Sequence, residues 1–205
     1  MAIWPTTSFT LVTTGLWILI VAVSVNATSH AAETKVPVSF SGGHEIGPKD
    51  YGRPIVLIAA ALGVKPDVFR EAFSGVTPAR GRGPSGDEAR KNKAALMKVL
   101  APHGVTNDRL DEVSDYYRYR PQHGELWPRT GAKAHAIVEQ GKIKRIVVTD
   151  AGSGYCSLPE VKVEGFPKIE FKATLAFSKD LKKNGAIAAV EVVSAKKSKT
   201  GRSAP

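Results

Sequence analysis

The spacing of apolar residues changes at Ala132, and this change most constrains the fold of the chain. Before Ala132, apolar residues recur at intervals of three and four, which is typical of amphipathic helices; after it, they alternate with polar residues, which is typical of strands. Helices followed by strands favour an α+β fold in which the two kinds of element segregate. The sequence therefore predicts about four helices over residues 54–120, a linker over 121–131 and a small antiparallel β unit over 132–195.

Capping and turn residues predict where the helices begin and end. Proline at the first turn and glycine just past the last turn bound the first helix, which is apolar nearly all round and is expected to be buried. Ser85 and Glu88 form the spacing of a capping box. The predicted helices begin after Pro54, at Pro66, near Asp87 and after Thr106 or Asn107, and the last two end at Leu100 and at about Tyr119.

The β unit is predicted to contain two related hairpins. The residues Gly141–Val148 resemble Gly185–Val192 at an offset of 44, and an alternating run precedes each copy, as expected for a repeated supersecondary unit. Strands are predicted at about 133–140, 143–149, 160–164, 168–177 and 186–194. Simple alternation places Ile143, Arg145 and Val147 on one face of the second strand, and Lys144, Ile146 and Val148 on the other.

Part of the β unit resembles a glycine–tyrosine β-repeat of phage tail proteins and bacterial surface proteins. That repeat has Gly-x-Ile/Val-x-x-Ile/Val-x-Val, a spacer, Gly-x-Gly-Tyr, Pro and Val-x-Val. The resemblance implies a β module for assembly or adhesion, and the chain as a whole resembles exported bacterial proteins that open with GGHEIGPKDYGRP and have no assigned activity. The matching residues of the repeat are Gly141, Ile143, Ile146, Val148, Gly152, Gly154, Tyr155, Pro159, Val161 and Val163.

The first residues of the chain predict export. Leu11–Val25 is almost entirely apolar, and no charged side chain occurs before Glu33. About 15 apolar residues are fewer than the roughly 20 that span a bilayer, and small residues follow, so residues 1–31 are predicted to be a cleaved signal peptide. A retained anchor is the alternative, because the usual basic residues before the apolar stretch are missing. Residues 32–53 are predicted to be an extended lead-in with a short strand at Val36–Phe40.

The charge balance predicts an acidic partner. The net charge is +10, which favours an anionic polymer, a lipid or other acidic surface, or an acidic protein; a soluble protein with excess lysine is the alternative. Residues 196–205 are predicted to be a disordered basic tail. Cys156 is the only cysteine, so the chain has no intramolecular disulfide.

Two basic segments are candidate binding sites. Arg80 and Arg82 precede a predicted helix N-terminus, whose free N–H groups and dipole favour anions. The segment 116–120 alternates aromatic and basic residues that can stack on rings and pair with phosphate or sulfate, although Tyr117 shares a face with Leu110 and Val113 and is expected in the core. The candidate ligand-binding residues are Arg80, Arg82, Tyr116, Arg118, Tyr119 and Arg120.

No motif predicts a reaction. Gly81–Gly86 reads G-x-G-x-x-G but follows a predicted helix, and the dinucleotide motif needs a strand there. The sequence predicts no cofactor and no metal site. The leading hypothesis is therefore an exported, non-enzymatic binding or assembly protein, with a partner strand added at an exposed edge of the β unit. The runner-up is an exported hydrolase-like enzyme whose site, between the helical part and the linker, uses His103, Asp115, His123 and Glu125.

Overall fold

The computed structural model describes Met1 and residues 33–77, 83–118, 120, 123–124 and 126–195. The predicted α+β fold is confirmed, because four helices accompany antiparallel sheets. Residues 2–31 of the predicted signal peptide, the predicted tail, Arg80, Arg82, Tyr119 and Glu125 lie outside the described residues. The elements are β1 (Thr34–Gly42), α1 (Ile55–Leu62), α2 (Pro66–Ser74), α3 (Gly86–Leu100), α4 (Asn107–Tyr116), β2 (Lys133–Glu139), β3 (Lys142–Asp150), β4 (Pro159–Val163), β5 (Ile169–Ala176) and β6 (Ala186–Ala195).

Side-chain caps fix the starts of the two longer helices. At α3 the Ser85 hydroxyl accepts a hydrogen bond from the Glu88 N–H, and the Glu88 carboxylate accepts one from the Ser85 N–H at 2.7 Å. At α4 the Thr106 hydroxyl accepts from the Arg109 N–H at 3.2 Å. Such caps satisfy N–H groups that have no partner within the helix, so the predicted capping box is confirmed and Thr106 is the second cap.

The helices share one apolar core. The first helix is buried around most of its circumference, as its sequence predicts, and α4 contributes Leu110, Val113 and Tyr117 from one face. Three residues that follow the helical part of the chain, Trp127, Cys156 and Leu181, also belong to this core. The helical core therefore includes loops of the β unit.

The lead-in forms a central strand. The strand order is β3-β2-β1-β4 in a four-stranded antiparallel sheet, with β5 and β6 paired in a second sheet. The first strand pairs with β2 from Thr34 to Val38 and with β4 from Val38 to Gly42. The pairing with β4 begins at Val38, opposite Val163, which is the last residue of β4. The lead-in thus ties the N-terminal half of the chain into the sheet.

A bulge changes which residues of β3 face the interior. Ile137 pairs with Arg145, and the next residue of β2, Val138, pairs with Ile143, so the register skips Lys144. An extra residue shifts the side-chain alternation by one position. Ile143 therefore packs on the same apolar interior as Ile146 and Val148, and the simple alternation predicted for this strand is wrong at Lys144.

The six strands surround one interior, because β3 lies beside β6 and β4 lies beside β5. Following the pairings along the strands places the start of β1, the turn at Gln140–Gly141, the turn over 164–168 and the end of β6 at one end of this interior. We call it the open end. The loops over 43–46, 151–158 and 177–185 lie at the opposite end, next to the helices, which we call the helix-covered end. Residues 33–195 belong to one compact unit.

Asn184 joins the helices to the helix-covered end. Its side chain is fully buried, and its amide N–H groups donate to Leu57 O and to the Tyr117 hydroxyl, both at 2.8 Å. Its amide oxygen accepts from the Ser178 N–H at 3.0 Å. One side chain in the β5–β6 turn thereby links α1 to the end of α4 and closes its own loop, as expected for a fully satisfied buried polar group.

Tyr51 provides a test of local backbone strain. Its φ is 48° and its side chain is 81% exposed, so a bulky residue adopts a left-handed conformation without the compensation of burial. Asparagine adopts this conformation at lower cost. We expect Tyr51→Asn to raise the free energy of unfolding by about 0.5–1 kcal/mol in urea denaturation. Tyr51→Ala keeps a Cβ at the same φ, so a gain as large as that of Tyr51→Asn would contradict the interpretation.

Candidate binding surfaces

The described part of the segment 116–120 combines one core tyrosine with a more accessible neighbour. Tyr117 is buried, as its face with Leu110 and Val113 predicts, and burial raises its pKa to about 12. Tyr116 is half-buried and packs edge-on against Tyr117, with 5.0 Å between the ring centroids. Of these two rings, only Tyr116 is available to a ligand.

Acidic side chains surround Tyr116 and Arg118. Arg118 pairs with Asp115 at 2.6 Å, and burial together with the Asp180 carboxylate raises the pKa of Tyr116. Tyr116 opens onto a groove of about 620 Å³. Besides Leu181, the other residues that line this groove carry both signs of charge: Arg109, Glu112, Asp115, Lys179, Asp180 and Lys182. The described side chains here form a mixed surface rather than a continuous positive one.

The other candidate binding residues are Arg80, Arg82, Tyr119 and Arg120, of which the structure describes only Arg120. Arg120 is exposed, and its carbonyl oxygen accepts from the His123 N–H at 2.9 Å. The capping box at Ser85 already supplies a hydroxyl and a carboxylate to the start of α3, next to the acidic side chain of Asp87. An anion there would have to coexist with these acidic groups, so the roles of Arg80, Arg82 and Tyr119 stay predictions.

A junction of His44, Trp127 and Tyr155 brings together two glycine-rich segments. The His44 ring stacks on Tyr155 with a centroid distance of 5.0 Å. The Trp127 indole N–H donates to Gly154 O at 2.9 Å, and His44 Nδ1 lies 3.1 Å from the same oxygen. The Tyr155 hydroxyl accepts from the Ala132 N–H at 3.0 Å. His44 lies in the predicted lead-in over 32–53 and Trp127 in the predicted linker over 121–131, and the sequence did not predict that they meet; the aromatic residues beside paired glycines were the available signal.

The polar groups beside this junction do not form an activated nucleophile. Burial raises the pKa of the Cys156 thiol to about 11, so the reactive thiolate is rare at neutral pH. Burial also lowers the pKa of His44. The neighbouring Glu45 carboxylate accepts hydrogen bonds from the Ser157 hydroxyl and the Gly43 N–H. The junction holds two loops together, and the Cys156 thiol beside it is neutral.

The residues of the enzyme hypothesis lie on separate segments. His103 is exposed just after α3, His123 is exposed near Gly124, and Asp115 is on α4 in its ion pair with Arg118. The groove beside Asp115 is lined by neither histidine. Within the described ranges, no three His, Cys, Asp or Glu side chains are grouped so that they could hold a metal ion.

An apolar groove of about 590 Å³ lies beside the turn between β4 and β5. Val163, Phe166 and Phe171 line it, together with Pro37 and Lys162. No ladder of hydrogen bonds joins β4 to β5 in the part of the chain that the structure describes.

None of the helices in that part is both long enough and apolar enough to cross a membrane.

Most Lys and Arg side chains of the β unit have no ion pair with a described carboxylate. In its described strands and loops, ten Lys and Arg side chains lie between Lys133 and Lys183, and three of them form ion pairs with carboxylates. In the helical part, ion pairs occupy Arg70, Arg90, Lys93, Arg109 and Arg118. The β unit therefore has seven described cations without an ion pair, and the described residues before it have the same number: Lys35, Lys49, Arg53, Lys65, Lys91, Lys98 and Arg129.

No protein-family model, curated protein or solved structure matches this chain. The resemblance to the glycine–tyrosine repeat stays a prediction that rests on the residues quoted for it.

Proposed function

We propose that this chain is an exported, non-enzymatic binding protein that contacts an anionic partner through its β unit and basic tail. The observation that carries the proposal is the distribution of charge. Residues 132–205 contain 14 Lys and Arg against 7 Asp and Glu, which accounts for +7 of the net +10. Residues 32–131 contain 15 basic and 12 acidic side chains. A localised excess of positive charge attracts anionic partners.

Export is supported by the sequence of the first residues. The apolar stretch Leu11–Val25 and the small residues that follow it match a signal peptide. The proposal includes additional contacts from Arg80, Arg82, Arg118 and Arg120. The acidic side chains of Asp115 and Asp180 make Arg118 and Arg120 the weaker two of these contacts.

Retention of the chain from Ala32 on heparin across a salt series tests the proposal. We expect elution well above physiological salt, because each fixed contact with a phosphate- or sulfate-like group releases a counterion. Replacing Lys196 and Lys197 with glutamine should reduce the slope of log affinity against log salt by about 2. The double variants R80Q/R82Q and R118Q/R120Q locate any further contacts.

A charge-matched variant separates a localised surface from bulk charge. Lys91 and Lys98 are exposed on α3 and form no ion pair with any described residue. The double variant K91Q/K98Q removes the same charge as K196Q/K197Q and should leave the slope nearly unchanged. Equal losses for the two variants, or elution of the original chain at low salt, would retire the proposal.

A protein partner that adds a strand to the β unit is a second proposal, and the described edges support it less. The fourth strand, at one edge of the four-stranded sheet, has only five residues. Short edge strands discourage strand addition. The enzyme hypothesis gains no support from the separate placements of His103, Asp115 and His123.

A further inference from the structure

The turn over 50–53, just before α1, presents a tyrosine at its tip. The Arg53 N–H donates to Asp50 O at 2.9 Å, and φ is 48° at Tyr51 and 77° at Gly52. Positive φ at both central residues is typical of a type I′ turn, which favours Asn-Gly. The Tyr51 side chain is 81% exposed, and no ring of a described residue pairs with it. Tyr51 therefore adds little packing to the fold, and strained residues of this kind cluster at functional sites.

Side chains of α2 hold this turn at both ends. Arg70 donates to the buried carboxylate of Asp50 at 2.8 Å. At the other end, the Arg53 guanidinium lies over the Phe73 ring, 4.2 Å from its centroid. The two contacts fix the backbone that carries Tyr51. A side chain on a fixed turn loses less entropy when it binds a ligand, so the turn is preorganised for binding.

The turn also carries two cations without an acidic partner. Arg70 pairs with the carboxylates of both Asp50 and Asp67, each at 2.8 Å. Lys49 and Arg53 are exposed and form no ion pair with any described residue. Desolvation by the aromatic ring beneath it lowers the pKa of Arg53, and no described carboxylate offsets this effect. The N–H groups in the plane of the guanidinium can therefore pair with a carboxylate, sulfate or phosphate from outside the chain.

We propose that the segment 49–53 binds an acidic sugar, which is a saccharide ring that carries a carboxylate or a sulfate. The Arg53 guanidinium pairs with the anionic group, Lys49 adds a second cation, and the Tyr51 ring stacks on the sugar. A single exposed ring covers one face of a ligand. A sugar has one apolar C–H face and keeps its hydroxyl groups in water, whereas a flat nucleobase would leave a second apolar face exposed. The inference goes beyond the proposed function, because it uses neither the β unit nor the basic tail.

Titration of the isotope-labelled chain from Ala32, followed by NMR, tests the site. This chain is suitable because residues from Ala31 onward form a compact unit by themselves. The probes are glucuronate, glucose 6-sulfate, neutral glucose and orotate, which is a flat pyrimidine carboxylate. We expect both acidic sugars to shift the resonances of residues 49–53, and glucose to bind at least roughly tenfold more weakly, because it offers no charged acceptor to the guanidinium. The tighter of the two acidic sugars identifies the anionic group.

Two outcomes of the titration would overturn the proposal. Tighter binding of orotate than of either acidic sugar would show that the site selects a flat aromatic ring. Absence of shifts at residues 49–53 with both acidic sugars would show that the turn is not a binding site.

Tyr51→Asn separates binding from folding. This variant is expected to be more stable than the original chain, because asparagine tolerates the left-handed conformation. It should nevertheless bind the acidic sugars about fivefold more weakly, because the stacking ring is lost. Tyr51→Phe keeps the ring and should bind within about twofold of the original chain. A gain in stability without a loss of affinity in Tyr51→Asn would overturn the role given to the ring.

Arg53→Lys tests the planar guanidinium while keeping its charge. We expect about tenfold weaker binding, because an ammonium group cannot pair with a carboxylate through two parallel hydrogen bonds. Arg145 is exposed in β3 and has no ion pair with a residue that the structure describes, so Arg145→Lys is the matched control and should leave the affinity unchanged. Thermal unfolding verifies that each variant is folded. If Arg53→Lys does not fold, Lys49→Gln replaces it, with an expected loss of about threefold.

The tail variant K196Q/K197Q distinguishes this site from bulk charge. It should bind both acidic sugars like the original chain. A loss as large as that of Tyr51→Asn would mean that the sugars respond only to net charge, and the proposed site would be overturned. Heparin retention tests the proposed function independently of these titrations, so either proposal can fail without the other.

Discussion

Replacing Asn184 with aspartate is expected to lower the free energy of unfolding by about 3–5 kcal/mol at pH 7. The substitution removes the N–H groups that donate to Leu57 O and to the Tyr117 hydroxyl, and it buries a carboxylate next to the Leu57 carbonyl oxygen. The Ser178 N–H still donates, and the Tyr117 hydroxyl can turn from acceptor to donor, but the Leu57 carbonyl oxygen loses its donor and faces a carboxylate. A buried charge without an opposite partner is among the most destabilising changes in a core.

The loss should depend on pH in a defined direction. Burial raises the pKa of the introduced carboxyl above its unfolded value of about 3.9, so the folded state binds the proton more tightly. The variant is therefore closest to the original chain below the unfolded pKa, and its deficit grows as pH rises through the folded pKa. Urea denaturation of both chains at several pH values measures this difference.

Asn107 offers the matched control for the same chemical change. It is exposed at the first position of α4, where a negative charge is favourable near the helix N-terminus. Asn107→Asp should change the free energy of unfolding by less than about 1 kcal/mol and in the stabilising direction. A small, pH-independent effect of Asn184→Asp would refute the role assigned to the buried amide.

Replacing Gly152 with alanine is expected to cost about 3–5 kcal/mol of stability. Its φ is 61°, and an added Cβ would meet the backbone oxygen of Thr130 and lie 2.7 Å from the Ala132 nitrogen. The left-handed conformation alone costs an L-residue roughly 1–2 kcal/mol. Because the atoms it meets belong to the backbone, a side-chain rotation cannot relieve the contact. Thermal or urea unfolding measures the loss.

The substitution Gly165→Ala separates the cost of the left-handed conformation from the cost of the close backbone contact. Its φ is 78°, but no atom lies within 4 Å of an added Cβ. Gly165→Ala should therefore show only the conformational cost of about 1–2 kcal/mol. Similar losses at Gly152 and Gly165 would mean that the close approach of the 128–132 segment does not constrain the glycine-rich corner.

Local signals in the sequence predicted most element boundaries. The capping box at Ser85 and the threonine cap at Thr106 act over three residues, and the glycine turns bound the strands, so neighbouring residues decide where these elements begin. Tyr117 was placed in the core because its helical face is set by its spacing from Val113. Each of these predictions depends on contacts close in the sequence.

Contacts between distant segments were not predictable from the same signals. The lead-in was expected to be extended, but its place between β2 and β4 depends on partners about a hundred residues away. The bulge at Lys144 leaves no mark in the alternation itself. His44 and Trp127 meet at Gly154 only after the sheet has formed. The candidate binding residues stay predictions for the same reason, since a surface is assembled from separate segments.

The central position of β1 has a consequence for how the chain acquires its structure. The strand is made first, but neither of its edges can be paired until β2 and β4 have been synthesised. Sheet formation must therefore wait for long-range loop closure, which slows folding in chains rich in non-local pairings. Such a delay keeps the newly made chain extended for longer. It also leaves a strand with two open edges exposed to intermolecular pairing during that interval.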